Sequence, residues 1–398
     1  MTGRQVQRRV SVCWSLVLLT ATAGCGPRPV VESPDTTTAA ASSGSFAPSG
    51  ATVVPSGTAC EAGQCPPASP SSVERPAASD APRAVSTGLA RGTEEPADHA
   101  LAAGDRAYDT DDLAAARRHY ARAHELAPLD PAPQVGLIRV RLAATGVPLD
   151  YGSAPGDAEL QGLLTELNQV LAKSPGYAPA HLEAGRIALI LGDAARALGA
   201  LRRAVELRSG DAEAQSALGV ALLATGNAEE ALEHFRRAAE LDPNDPDRLT
   251  NLGTAYMMRG LVESALGAYR QAVRLAPDDP RVQGDLGTAY LAANRPDQAL
   301  THLKRAVDLA PDRATFLSNL GYAYQLSGKL DLAIRTYQQA LAKDPSLGSA
   351  WINLGTAQAQ QGAYDAAERS LREALRLDPS DPRAIANLKE LEALRAQK

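Results

Sequence analysis

Asn251-Leu252-Gly253-Thr254-Ala255-Tyr256, followed by Gly260, Ala265, Tyr269, Ala272 and Pro277, is the stretch on which the reading of this chain turns. Shifted by 34 residues in either direction, its pattern returns. Gly185, Gly219, Gly253, Gly287, Gly321 and Gly355 form one column. Ala197, Ala231, Ala265, Ala299, Ala333 and Ala367 form a second, and Ala204, Ala238, Ala272, Ala306, Ala340 and Ala374 a third. A proline column runs from Pro175 through Pro243, Pro277, Pro311, Pro345 and Pro379, interrupted by Ser209. Internal periodicity of this length marks a stacked array of supersecondary units. The small residues belong where two antiparallel helices meet, because bulk there pushes the backbones apart. The second alanine lies seven residues after the first, about two helical turns, and so on the same face, toward the next unit. Proline stops the second helix and restricts the residue before it. Gly192, Gly226, Gly260, Gly328 and Gly362 supply the turn between helices, and Asn294 fills the remaining place as a residue that tolerates a left-handed backbone.

These columns resemble the tetratricopeptide repeat, a helix-turn-helix unit of the same length. The resemblance implies an all-α chain: a right-handed α-solenoid superhelix of antiparallel helix pairs. Six consecutive repeats fit residues 178–381. A further repeat occupies 94–130, marked by Gly104, Ala116, Tyr120, Ala123 and Pro128. Residues 131–177 read as a degenerate repeat whose turn is lengthened by an insertion around Val147 to Gly156. Residues 382–398 read as a charged helix capping the last apolar face, as the ends of such arrays require.

The N-terminal quarter is different. Arg4, Arg8 and Arg9 precede the apolar stretch Val10 to Leu19, and small residues lead to Cys25. This order describes a secretory signal over 1–24, too short to span a bilayer. Thr22-Ala23-Gly24-Cys25 resembles a bacterial lipobox, which implies lipidation of Cys25; ordinary cleavage after Ala21-Thr22-Ala23 is the alternative. Residues 25–93 are rich in Pro, Ala, Ser and Thr with few large apolar side chains, a composition that does not bury enough surface to offset chain entropy. They read as a disordered tether spanning roughly 45 Å. Within it Cys60 and Cys65 are spaced to close a small disulfide in an oxidising compartment, although an unbonded pair fits the spacing equally well.

Chemistry is hard to find in this sequence. Aromatics make up 4% of the 398 residues, so the core must be built from alanine and leucine. A net charge of -6 argues against a nucleic-acid partner, which needs clustered cations. No metalloprotease, nucleophile-elbow or phosphate-loop motif occurs. His119, His234 and His302 stand at corresponding places in three second helices, which repeat geometry explains without a metal. No catalytic residue, cofactor, metal or small-molecule substrate is expected.

What remains is the groove. In the tetratricopeptide family the first helix of each repeat lines the concave surface, where ligands bind. Two residues before each column glycine that surface carries Glu183, Ala217, Asn251, Asp285, Asn319 and Asn353, and the cap continues with Asn387. A row of asparagines offers donors and acceptors to the main chain of an extended peptide. It looks like the asparagine ladder of protein O-linked N-acetylglucosamine transferase. The alternative is that each asparagine bonds within the array. Met257, Met258, Leu291 and Tyr322 are further groove candidates. Thr250, Thr254, Gly284 and Thr288 stand where repeats that clamp a C-terminal carboxylate carry cations, so that mode is not expected. The whole reads as a lipid-anchored scaffold of the cell envelope that holds protein partners. The alternative is a spacer lipoprotein associated with peptidoglycan or another glycan.

Overall fold

A computed structural model describes residues 88–147 and 151–396. The signal-like leader, Cys25, Cys60 and Cys65 lie outside the described residues. Seventeen helices and no strand occur among those described. They alternate as first and second helices of successive pairs: α1 (Pro96–Asp109) with α2 (Leu113–Leu126), α3 (Pro131–Ala144) with α4 (Ala158–Lys173), and α5 (Ala178–Ile190) with α6 (Ala194–Leu207). The series continues through α7 (Ala212–Ala224) with α8 (Ala228–Leu241), α9 (Pro246–Met258) with α10 (Val262–Leu275), and α11 (Pro280–Ala292) with α12 (Pro296–Leu309). It ends with α13 (Ala314–Leu326) and α14 (Leu330–Lys343), α15 (Gly348–Gln360) and α16 (Tyr364–Leu377), and the unpaired α17 (Pro382–Ala396).

Local chemistry sets the helix ends. Asp193 and Asp211 each accept a backbone N–H three residues on, at 3.0 Å, and proline opens α9, α11 and α12. Gly192, Gly226, Gly260, Gly328 and Gly362 turn the chain between helices with φ of 78°, 83°, 70°, 72° and 84°. Asn294 holds the same conformation at φ 54°, as its place in the column predicts, and Asp111 does so in the first pair at φ 59°.

The column glycines are where each pair closes. A methyl carbon built on Gly253 would stand 2.7 Å from the ring of Tyr269, 16 residues on. Gly219 meets Phe235 at 2.8 Å and Gly321 meets Tyr337 at 2.8 Å in the same way. Leu303 and Leu371 take the ring's place against Gly287 and Gly355. The large partners and the alanines of both columns are fully buried.

Adjacent first helices also touch, α9 with α11, α11 with α13 and α13 with α15, whereas adjacent second helices have no comparable contact. The stack therefore curves toward its first helices, which line the inner side. At the far end Lys389 occupies the place of the column glycine, and Ile385 is left 48% exposed. At the near end residues 88–93, which composition assigns to the tether, lie against the first pair. Leu89 is buried there at 2% exposure. In the lengthened turn of the second pair, the Gly152 and Ala154 amides donate to the Leu189 and Ile190 carbonyls at the end of α5.

Two glycine-to-alanine changes should move stability in opposite directions. Gly253→Ala drives a methyl group into Tyr269 and should cost about 1–3 kcal/mol. Gly199→Ala, in α6 with nothing within 4 Å of the added carbon, should stabilise by about 0.5–1 kcal/mol. Chemical denaturation of the two variants beside the parent checks both signs.

Candidate functional site: the inner face of the first helices

The asparagine column lies on the face that adjacent first helices share. Asn251 donates through Nδ2 to Ser216 Oγ on α7 at 3.0 Å. Asn319 donates to Thr288 Oγ1 on α11 at 3.0 Å, and Asn387 to Thr356 Oγ1 on α15 at 2.9 Å. Their amide nitrogens thus fasten one repeat to the one before, and their carbonyl oxygens are left for other use. Asn353 has no hydrogen-bond partner among the described residues. Leu291 is buried in the core, while Met257, Met258 and Tyr322 are half-buried and pack against it.

Asp285 breaks the series chemically. Once ionised it has no hydrogen to offer, and the hydroxyl on α9 that would face it in the Asn319 pattern is Thr254, which donates to the Thr250 carbonyl and meets the Tyr269 hydroxyl, each at 3.0 Å. Asp285 has neither hydrogen bond nor ion pair among the described residues. Burial pushes its carboxyl up to about 7; Arg281 pulls it down and Asp279 pushes it up, both by less. Arg281 is itself occupied, by Asp247 at 3.1 Å and Asp279 at 2.8 Å.

Toward the N-terminal end the inner face carries a line of alternating charge. Arg139 on α3 donates to Glu183 on α5 at 2.6 Å, and Arg186 approaches the same carboxylate oxygen at 3.4 Å. Glu213 on α7 accepts from Arg248 on α9, with Asp245 3.7 Å from the same guanidinium nitrogen. All of these side chains are buried. Burial alone would lower the Arg139 and Arg248 pKa values, but Glu183 with Tyr120 and Tyr108, and Glu213 with Asp245 and Asp247, together reverse that, and both are raised. Of this line only Glu183 is singled out by the sequence. Of the others, Arg139 and Arg186 share one place in their repeats, and Glu213, Asp245 and Arg248 stand at three different ones.

The first pair holds a segment of its own chain. Asp105 Oδ2 accepts the backbone N–H groups of Leu89 at 2.7 Å and Ala90 at 2.9 Å. Asp98 accepts those of Arg91 at 2.7 Å and Thr93 at 2.6 Å. Arg91 then forks onto Asp130 with two bonds of 2.7 Å. In repeat register Asp98 corresponds to Glu213 and Asp247, and Asp105 to Arg186, Thr254 and Thr288. The Tyr120 hydroxyl donates to Asp105 Oδ1 at 2.9 Å, just as Tyr269 meets Thr254.

Two of the three corresponding histidines have structural partners: His234 meets Gln215 at 2.7 Å and His302 meets Gln283 at 2.8 Å. No group of His, Cys, Asp or Glu suited to a metal occurs among the described residues.

Asp285→Asn should change how stability depends on pH. The folded chain keeps the Asp285 proton up to about pH 7, whereas an unfolded chain releases it near ~3.9. Between those values the folded state binds more protons, so this group's contribution falls as pH rises. The variant should be more stable than the parent at pH 8 and converge with it near pH 4, as urea unfolding at both pH values will read.

Comparison with known proteins agrees with this geometry. A family model described as tetratricopeptide repeat matches residues 164–212, 182–246, 285–347 and 324–382, and a second of the same description matches 222–284. Together they run from 164 to 382, more than half of the chain. No curated protein matches it. Among solved structures, that of the APC/C hetero-tetramer Cut9-Hcn1 is similar with a TM-score of 0.58 at 18% identity. The match covers 76% of this chain and 57% of that one, little more than half its length. PilF of Pseudomonas aeruginosa matches 55% of this chain and 98% of its own, with a TM-score of 0.47 and 20% identity. TTC0263 of Thermus thermophilus matches 46% and 99%, with a TM-score of 0.41 and 28% identity. Helix pairs closed by a small residue against a large one, a turn in left-handed backbone and the matching family models lead to one conclusion: the chain belongs to the tetratricopeptide-repeat family.

Proposed function

We propose that the protein is a non-catalytic scaffold of the bacterial cell envelope. It is anchored through a lipid on Cys25 and holds extended protein segments along the inner face of its first helices. The observation that carries the groove reading is the segment 88–93. Four of its backbone amides rest on Asp98 and Asp105, side chains in register with those lining the rest of the face. Recognition through main-chain amides is largely indifferent to side chains, which suits a scaffold with more than one guest. The free carbonyl oxygens of Asn251, Asn319 and Asn387, and the unpaired Asn353, extend the same kind of contact along the array. The envelope setting rests on the leader, the Cys25 context and the tether composition in the sequence.

Two experiments test the parts separately. A photo-crosslinking residue at Asn353 should capture protein segments in cells, while the same residue at Arg372, exposed on a second helix, should capture few. Equal capture from both faces would sink the groove reading. A Cys25→Ser variant should leave the membrane fraction; if it fractionates with the parent, the anchor is misassigned.

A further inference from the structure

In the groove, the groups of α11 and α9 that stand in register with Asn251 and Ser216 are both left without a partner. Asp285 is one. The other is the Thr250 hydroxyl on α9, a buried oxygen with no hydrogen bond. The two are 35 residues apart, the separation at which Asn251 reaches Ser216. Repeat register therefore brings this carboxylate and this hydroxyl to the positions where the preceding repeat makes its own bond. Here the bond is missing on both sides. Gly284 next to Asp285 lets the Phe316 ring of α13 lie against the backbone, since a side-chain carbon there would stand 2.5 Å from that ring. The charged groups acting on Asp285 are Arg281 and Asp279, and Arg281 is tied to Asp279 and to Asp247. On the flanking first helices the column residues are Asn251 and Asn319, both neutral.

We infer that Asp285, in register with Thr250 on the neighbouring first helix, takes the basic side chain, lysine or arginine, of a protein segment lying in the groove. This rests on the groove reading above and adds a side-chain preference to it. An ammonium or guanidinium group carries several N–H donors and a positive charge. It pairs with the carboxylate, which gives up its proton to solvent on binding, and supplies the positive charge that the site lacks once Asp285 is ionised. A backbone amide, with one donor and no charge, does neither in full. The chain's net charge of -6 favours the approach of a basic segment as well.

The test is selection of random twelve-residue peptides, displayed on phage, against the purified full-length protein and its Asp285→Asn variant. Asparagine is the residue found at this place in neighbouring repeats, so the variant should fold, and circular dichroism will check that it does. Peptides selected on the parent should share one position rich in lysine or arginine, and peptides selected on the variant should not. A synthetic copy of the best peptide should bind the parent about tenfold more tightly than it binds the variant. It should lose a similar factor when its basic residue is replaced by norleucine. Selected peptides without a basic preference, or basic peptides that bind parent and variant alike, would overturn the inference and leave the groove reading standing. Failure to select any peptide on the parent would remove both.

Discussion

How closely two antiparallel helices approach is the constraint from which the rest of this structure follows. At Gly253 the absence of a side chain lets the Tyr269 ring lie against the backbone of the facing helix. The same contact recurs between Gly219 and Phe235 and between Gly321 and Tyr337. With an aromatic content of only 4%, the chain places rings and leucines where each closes one pair and fills the remaining contacts with alanine. Alanine brings little volume and loses no rotamer freedom, so such a core gains its stability from close backbone approach more than from large side chains. Each pair depends on its neighbours to cover its apolar faces, and stability is spread along the array.

That architecture is legible in the sequence because its determinants repeat. A glycine column, two alanine columns and a proline column each point to one physical role, and Asn294 takes the left-handed backbone that its column demands. Asp111 plays the same part in the first pair and does not stand out in the sequence, since that pair lies outside the continuous run. The groove is less readable. Asn251, Asn319 and Asn387 prove to bond from repeat to repeat, and their partners Ser216, Thr288 and Thr356 occupy two different places in the unit. The line of charge from Arg139 through Glu183 to Arg248 is hidden for a related reason. Its partners lie 44 and 35 residues apart, and only the stacking of non-equivalent positions brings them together. Periodicity reveals what every unit shares and conceals what a single pair of units builds between them.

The inner face is therefore two surfaces in one. Toward the N-terminal end it presents buried, paired charge, in which breaking either partner would leave the other uncompensated. Toward the C-terminal end it presents hydroxyls, amides and the isolated Asp285 carboxylate, with Tyr322 and Met257 half-exposed among them. A uniform stack of near-identical units thus offers a graded surface, and a guest lying along it would meet different chemistry at each step.

The way the chain enters the array has a mechanical side. Any pull on the sequence preceding Gly88 reaches the helices through the four amide bonds on Asp98 and Asp105 and the Arg91–Asp130 fork. These bonds bear load before the glycine contacts do, so tension on the preceding chain would peel away a short clasp first and spare the stacked pairs behind it.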